Sequence, residues 1–124
     1  MNLRDSIAAA RLSGPQPQPD GATSFEFRFP ASDSTFAGHF PTRPLLPGVF
    51  QLEIAHYAAE LTRNETLRLR EITKAKFLRP IIPDETVRVE LKLMEKADMI
   101  QIRASFSVTG QAAGETILHV TRNS

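Results

Sequence analysis

The sequence predicts an α+β domain in which a curved antiparallel sheet wraps around one central apolar helix. Several segments alternate apolar and polar residues with the period of a strand, and the links between the later segments are of hairpin length. Residues 47–62 lack that alternation and would be apolar on nearly every side of a helix, which is typical of a buried helix. One strand precedes this helix, at residues 48–62, and four follow it.

Five segments show the alternation of a strand with one apolar face and one polar face. In the first, Phe25, Phe27 and Phe29 alternate with Glu26 and Arg28. The other four segments cover residues 67–78, 87–93, 100–108 and 115–120. One-sided strands of this kind indicate an antiparallel sheet that is covered on a single face.

The first 22 residues are expected to form a segment distinct from a single domain at residues 23–124. Residues 2–12 favour a short helix, because their apolar residues recur near a period of 3.6. The run GPQPQPDG at residues 14–21 holds three prolines and two glycines, which predicts a loop. Residues 1–22 are therefore predicted to be an N-terminal helix and a Pro-rich linker.

Composition excludes several classes of function. The chain has 124 residues, a formal net charge of +1 and no cysteine. Without cysteine there is no disulfide scaffold, cysteine zinc site or thiol nucleophile, and the small charge argues against nucleic-acid and membrane partners. Because no apolar run reaches the roughly 18 residues of a membrane span and the N-terminus lacks a signal pattern, we expect a cytoplasmic protein.

Residues 36–53, FAGHFPTRPLLPGVFQLE, combine the residue types of an acid–base site. His39 lies in a loop rich in glycine and proline, and Gly48 offers a backbone N–H at the positive end of the helix, which can hold an oxyanion. Glu53 lies inside the apolar helix, where a buried charge is costly, so we expect it to be neutral or hydrogen-bonded. The pattern alone leaves the blander alternatives open, because a single loop histidine is more often structural and Glu53 can face solvent.

The same stretch resembles the signature of the 3-hydroxyacyl-[acyl-carrier-protein] dehydratases, the FabZ/FabA-like enzymes of the hotdog fold. Their pattern, G-H-F-P-x-x-P-x-x-P-G-V-x-x-x-E/D, is matched at every fixed position by residues 38–53. A second block, KAKFLRPIIPDETVRVEL at residues 74–91, resembles another strand and turn of the family. Departures at Asp84-Glu85, where Gly-Asp is usual, and at Tyr57, where glutamine is common, indicate a divergent subfamily.

The resemblance implies a hotdog domain and a role for each residue of the motif. His39 would remove a proton from C2 of a 3-hydroxyacyl thioester, and Glu53 would protonate the departing C3 hydroxyl to leave the trans-2-enoyl thioester. The Gly48 N–H would bind the thioester oxygen, and no metal or cofactor is implied. The acyl tunnel would be lined by Phe36, Phe40, Pro47 and Phe50.

The resemblance also implies partners. Acyl carrier protein would bring the substrate, and a homodimer would be the minimum unit because the histidine and the acid of one site come from different protomers; a hexamer stays open. Residues 63–80 carry six basic and two acidic residues. Four basic residues share one side of the predicted strand by parity: Arg68, Arg70, Lys74 and Lys76. They form either a carrier-docking patch or a solvated strand face that discourages edge pairing.

Two other functions remain open at this point. The first is an acyl thioesterase of the same fold, in which a carboxylate activates water. The histidine argues against it, because thioesterases of this fold need no such residue. The second is a non-catalytic acyl-binding or carrier-binding protein, and the intact set of His39, Gly48 and Glu53 argues against that alternative.

Overall fold

The computed structural model describes residues 3–32 and 46–122, which form two helices and six strands. In chain order these elements are α1 (Leu3–Ala10), β1 (Arg11–Pro17), β2 (Thr23–Arg28), α2 (Gly48–Arg63), β3 (Leu67–Phe77), β4 (Thr86–Lys96), β5 (Met99–Val108) and β6 (Gln111–Arg122). All neighbouring strands are antiparallel, in the order β1-β2-β4-β5-β6-β3. The predicted α+β architecture is confirmed, with β1 and β3 at the two edges of the sheet.

The central strands follow the alternation that the sequence predicts. On β5, and on β4 as far as Leu91, every second side chain is buried. The register runs without interruption from Val87 opposite Val108 to Lys96 opposite Met99. The next hairpin is shorter than predicted, because Thr109 and Gly110 both adopt positive φ, at 48° and 81°. A two-residue turn of this geometry matches the twist of the strands, so β6 begins earlier than the predicted residue 115.

Helix α2 confirms the predicted central helix but not its burial on every side. Its buried face consists of Gln51, Ile54, Ala55, Ala58 and Ala59. The opposite side is less covered, and Val49 is 54% exposed. The reason is that the sheet packs on one side of the helix only. The helix ends at Asn64, whose left-handed conformation (φ 51°) lets its N–H reach back to the last-turn carbonyls.

The N-terminal segment differs from the prediction. Helix α1 ends at Ala10, and the predicted Pro-rich linker is wrong for residues 11–17, which form strand β1 and pair with β2. Pro15 is tolerated because an edge strand needs ladder hydrogen bonds on one side only. Gly14, at φ 101°, approaches β2 so closely that a Cβ there would lie 2.5 Å from the Ser24 carbonyl oxygen. Ile7 lies in the main core, and the domain boundary at residue 22 stays a prediction.

Strand β3 is the other departure, because only its first residue, Leu67, is buried. The register shifts twice along its pairing with β6, once after Leu69 and once after Ile72. These irregularities place Ile72 on the same face as Leu69, whereas simple parity would place the two on opposite faces. The predicted one-sided burial is therefore wrong for β3: its apolar face is bare in the described part of the chain, and Ile72 is 45% exposed.

Replacement of Ile54 by alanine tests the packing of α2 on the sheet. Ile54 is fully buried, so Ile54→Ala should lower the free energy of unfolding by about 2–5 kcal/mol through lost burial and a cavity. The matched variant Val49→Ala, on the exposed side of the same helix, should change it by less than about 0.5 kcal/mol. Urea unfolding measures both, and equal losses would contradict the described orientation of the helix.

Candidate active site

The first turn of α2 lies against the end of β3. Pro47 precedes the helix with extended backbone (φ −59°, ψ 143°) and provides no side-chain cap. A Cβ at Gly48 would lie 2.8–2.9 Å from the Cε2 and Cζ atoms of Phe77, so the ring covers this glycine. The first-turn N–H groups of a helix lack acceptors inside the helix and carry partial positive charge. This end of α2 therefore suits an anion or a polarised oxygen.

A cavity of about 270 Å³ opens beside this helix end, and we name it the groove. Its walls are formed by Leu46, Gly48, Gln51, Phe77, Leu78, Arg79, Pro80 and Ile81. Gln51 is 3% exposed, and its Oε1 atom has no hydrogen-bond partner among the residues that the structure describes. The amide packs against Gly114 of β6, where any Cβ would collide with Oε1. The groove is thus mostly apolar, with Arg79 and one buried amide in its wall.

Glu53 lies on the other side of α2 and contacts α1. The Arg4 Nε atom lies 3.5 Å from the Glu53 Oε2 atom, and an Arg4 terminal nitrogen lies 2.6 Å from the Glu60 Oε1 atom. The Arg4 guanidinium also stands over the Tyr57 ring, 5.6 Å from its centroid. The carboxylate of Glu53 is half-buried. The sequence predicted that this carboxyl would be either neutral or hydrogen-bonded, and the structure shows a hydrogen bond to it from Arg4.

Glu60, on the same side of α2 as Glu53, is held by contacts with three other residues. The Leu67 N–H donates to its Oε2 atom at 2.8 Å, and the His56 Nε2 atom lies 3.6 Å from the same oxygen. Burial raises the pKa of Glu60, but the hydrogen bonds from Leu67 and Arg4 outweigh burial and hold that pKa below its usual range. Glu60 is therefore a fixed anion that joins α1, α2 and the start of β3.

One chain does not bring the groove and Glu53 together. Gln51 and Glu53 are two residues apart, which is about 200° around a helix. Gly48 and Gln51 face the β3 and β6 end of the sheet. Phe50, on the side of Glu53, packs edge-on against Phe29 with ring centroids 6.1 Å apart. The two predicted roles, oxyanion binding and proton donation, thus lie on different sides of α2.

Three predicted site residues lie outside the described residues, namely His39, Phe36 and Phe40. The His39–Glu53 pairing and the acyl tunnel therefore stay predictions. Pro47 and Phe50, the other predicted tunnel residues, are half-buried at the start of α2.

The four basic residues predicted as a patch are exposed on β3. Arg68, Lys74 and Lys76 pair with outward-facing positions of β6, so they share the outer face. Arg70 lies at the first register shift and donates its Nε–H to the Thr121 hydroxyl at 2.9 Å. The Lys74 ammonium pairs with Glu115, and this hydrogen bond lowers the pKa of that carboxyl. Glu115 thus offsets part of the positive charge of the patch.

Three residues of the site were missed in the sequence, namely Gln51, Arg4 and Glu60. Gln51 carries a visible signal, because it is the polar residue that interrupts an apolar run in the motif. Arg4 carries none, since its partners Glu53 and Glu60 are 49 and 56 positions away.

Within residues 3–32 and 46–122 no group of three or more potential ligands can hold a metal ion. None of the described helices is long and apolar enough to cross a membrane.

The stability of the protein should depend on the ionisation of Glu60. Because its pKa is lowered in the folded state, its contribution is present above the unfolded value of about 4.3 and disappears as the pH falls through the folded value. Glu60→Gln should therefore be less stable than the wild type at pH 7. It should also lose less stability between about pH 5 and pH 3. Thermal unfolding of both proteins across this pH range measures both effects. Parallel curves of Tm against pH would contradict the lowered pKa of Glu60.

Comparison with known proteins places this geometry in a family. Residues 16–116 match the family model of the ApeI-like proteins, described as ApeI dehydratase. A protein of Granulibacter bethesdensis named 3-hydroxyacyl-[acyl-carrier-protein] dehydratase FabZ is 35% identical over 95 residues, which cover 68% of this chain and 56% of that protein. A FabZ of Rickettsia massiliae is 32% identical over 94 residues, with coverage of 68% and 65%. The chain thus spans about three fifths of the length of these relatives.

Solved structures agree on the fold. The dehydratase heterocomplex ApeI:P from Xenorhabdus doucetiae superposes with a TM-score of 0.73 at 23% identity, covering 90% of this chain and 96% of that one. A hypothetical thioesterase from Streptococcus pneumoniae, solved with coenzyme A, gives a TM-score of 0.71 at 6% identity, with coverage of 98% and 94%. At these identities the superpositions show the fold alone. The chain belongs to the ApeI-like dehydratase family, and its sheet wrapped around α2 is the hotdog fold.

Proposed function

We propose that this chain dehydrates a 3-hydroxyacyl thioester, carried by acyl carrier protein, to the trans-2-enoyl thioester. The observation that carries the proposal is the placement of Glu53. This carboxyl group is half-buried on the central helix, is held by Arg4, and stands at the acid position of the motif. Membership of a dehydratase family supports the reaction, and a location in the cytoplasm stays a prediction.

In the proposed mechanism His39 takes the proton from C2. The electrons move toward the thioester oxygen, where the Gly48 N–H at the positive end of α2 would stabilise the developing charge. As the C2–C3 double bond forms, the C3–O bond breaks and Glu53 delivers its proton to the departing hydroxyl. The products are the enoyl thioester and water, with Glu53 left as a carboxylate and His39 as an imidazolium.

A site made by two chains would reconcile this mechanism with the geometry. Gly48 and Glu53 lie on different sides of α2, so one substrate reaches both more easily if they come from different protomers. Edge strand β3 supports such an assembly, because Leu69, Ile72 and Phe77 are 39%, 45% and 49% exposed on one face in the described part of the chain. An exposed apolar edge of this kind favours pairing with a second chain. A homodimer is the proposed minimum unit, and a hexamer of three dimers is the larger alternative.

The thioesterase alternative rests on the fold alone, because the S. pneumoniae neighbour is 6% identical. A carrier-binding protein without activity is the second alternative. An assay with 3-hydroxyacyl thioesters separates the three functions. Enoyl absorbance supports dehydration, free thiol supports hydrolysis, and neither product supports binding alone.

Substitution of the proposed catalytic pair tests the mechanism. His39→Ala and Glu53→Gln should each lower kcat by at least about a hundredfold with an unchanged fold, because each removes one proton transfer. Enoyl formation from a 3-hydroxyacyl thioester is the measurement. Glu90→Gln, on the outer face of β4, is the matched control and should keep full activity. Near-normal turnover by either member of the pair would rule out this mechanism.

The assembly has its own test on β3. A charge in the middle of the bare apolar face should prevent its burial, so Ile72→Lys should shift the protein from dimer to monomer in analytical ultracentrifugation. Leu12→Lys is matched, because Leu12 is also an exposed apolar residue on an edge strand, here β1. A dimer that survives Ile72→Lys and dissociates with Leu12→Lys would place the interface at the other edge. A wild-type monomer would contradict the homodimer and favour a second, different chain.

The patch on β3 is proposed as the carrier dock, and Arg68 and Lys76 test it. Neither makes an ion pair with a described residue, whereas Lys74 does. The double change Arg68→Glu and Lys76→Glu should raise KM for carrier-bound substrate, with a smaller effect at high salt, because exposed charges mainly raise association rates. Arg11→Glu at the opposite edge is the control. If KM for a small thioester without the carrier rises equally, the patch is a solvated strand face.

A further inference from the structure

We propose that Arg4 is a positioning residue for Glu53, so that helix α1 completes the active site. Arg4 lies outside residues 16–116, the part of the chain that matches the family model. The inference rests on the proposed function, because it assigns Arg4 a task only if Glu53 transfers a proton.

Three contacts define the position of the Arg4 guanidinium. It lies 2.6 Å from Glu60, 3.5 Å from Glu53 and 5.6 Å from the centre of the Tyr57 ring. Residues 53, 57 and 60 are four and three positions apart, so they line one side of α2. The guanidinium suits such a row, because its planar fork binds carboxylates and its face stacks on aromatic rings.

Helix α1 packs into the core and thereby holds Arg4 in place. Its Ile7 is fully buried and its Ala10 is 3% exposed, and both belong to the main core. Arg4 is therefore carried by a packed element, not by a free terminus. An exposed ion pair contributes little when two mobile side chains must first be ordered. Here the packing of α1 and the anchored Glu60 have already ordered much of the arrangement.

Glu53 and Glu60 have different roles because they have different partners. Glu60 is held by the Leu67 N–H as well as by Arg4, so it anchors the guanidinium. Glu53 is contacted through Oε2, which would direct its Oε1 atom toward the substrate. When Glu53 gives its proton to the departing hydroxyl, it becomes an anion beside a fixed cation. Arg4 would stabilise that charge without moving, which is how preorganised groups lower a barrier.

The test compares Arg4→Met, Arg4→Lys and Glu60→Gln with the wild type in enoyl formation, with Tm measured for each. Arg4→Met should lower kcat about ten- to hundredfold and leave KM within about twofold, because the carboxylate loses its orientation and not its substrate. Arg4→Lys should recover part of that loss. Glu60→Gln keeps an oxygen for the Leu67 N–H but loses the ion pair that anchors Arg4, so it should lower Tm and lower kcat by less than Arg4→Met does.

The outcomes separate this inference from the proposed function. Normal or raised kcat in Arg4→Met, with an inactive Glu53→Gln, overturns the role of Arg4 and leaves the function standing. A wild type without dehydratase activity, or full activity in Glu53→Gln, overturns the function itself. Parallel losses of kcat and Tm in all three variants would indicate that Arg4 only holds α1 and α2 together. If Arg4→Met does not fold, Arg4→Lys decides: lowered kcat at unchanged Tm supports the role, and unchanged kcat overturns it.

Discussion

The packing of one side of α2 on the inner face of the sheet is the contact on which the rest of the structure depends. That side is built from small residues, Ala55, Ala58 and Ala59, with Ile54 beside them. Small side chains allow the helix axis to approach the strands closely. The described residues of the site are then placed by their angle around this one axis. Residues toward β3 and β6 form the groove, and residues toward α1 and β2 surround Glu53.

Two polar groups depend on that packing in different ways. Gln51 is buried over Gly114, and its amide oxygen has no hydrogen-bond partner in the described part of the chain. Glu60 is the opposite case, since a backbone N–H and a guanidinium compensate its burial. Its lowered pKa is the electrostatic sign of that compensation. Glu60 is thus held by hydrogen bonds, while the Gln51 amide oxygen at the groove has no partner among the described residues.

The two edges of the sheet differ in a way that bears on assembly. Strand β1 is blunted by Pro15 and Pro17, which cannot donate, and by an irregular register against β2. Strand β3 is long and carries apolar side chains on one face and basic side chains on the other. Its two register shifts are what keep these classes on separate faces, because without them Glu71 and Ile72 would exchange sides. Among the described residues, the β1 edge of the sheet is therefore less suited to further pairing than the β3 edge.

Local sequence patterns determined the fold class, the central helix and the inner strands of this protein. Alternation at Val87 and Val89, or an apolar run from Gly48 onward, constrains the backbone through neighbours a few residues away, and the motif located Glu53 for the same reason. Only the tertiary structure decided the rest. The strand at Pro15 depends on being at an edge, the faces of β3 depend on its register against β6, and the pairing of Arg4 with Glu53 joins residues 49 positions apart. Such contacts form when the sheet closes around the helix, and no local periodicity encodes them.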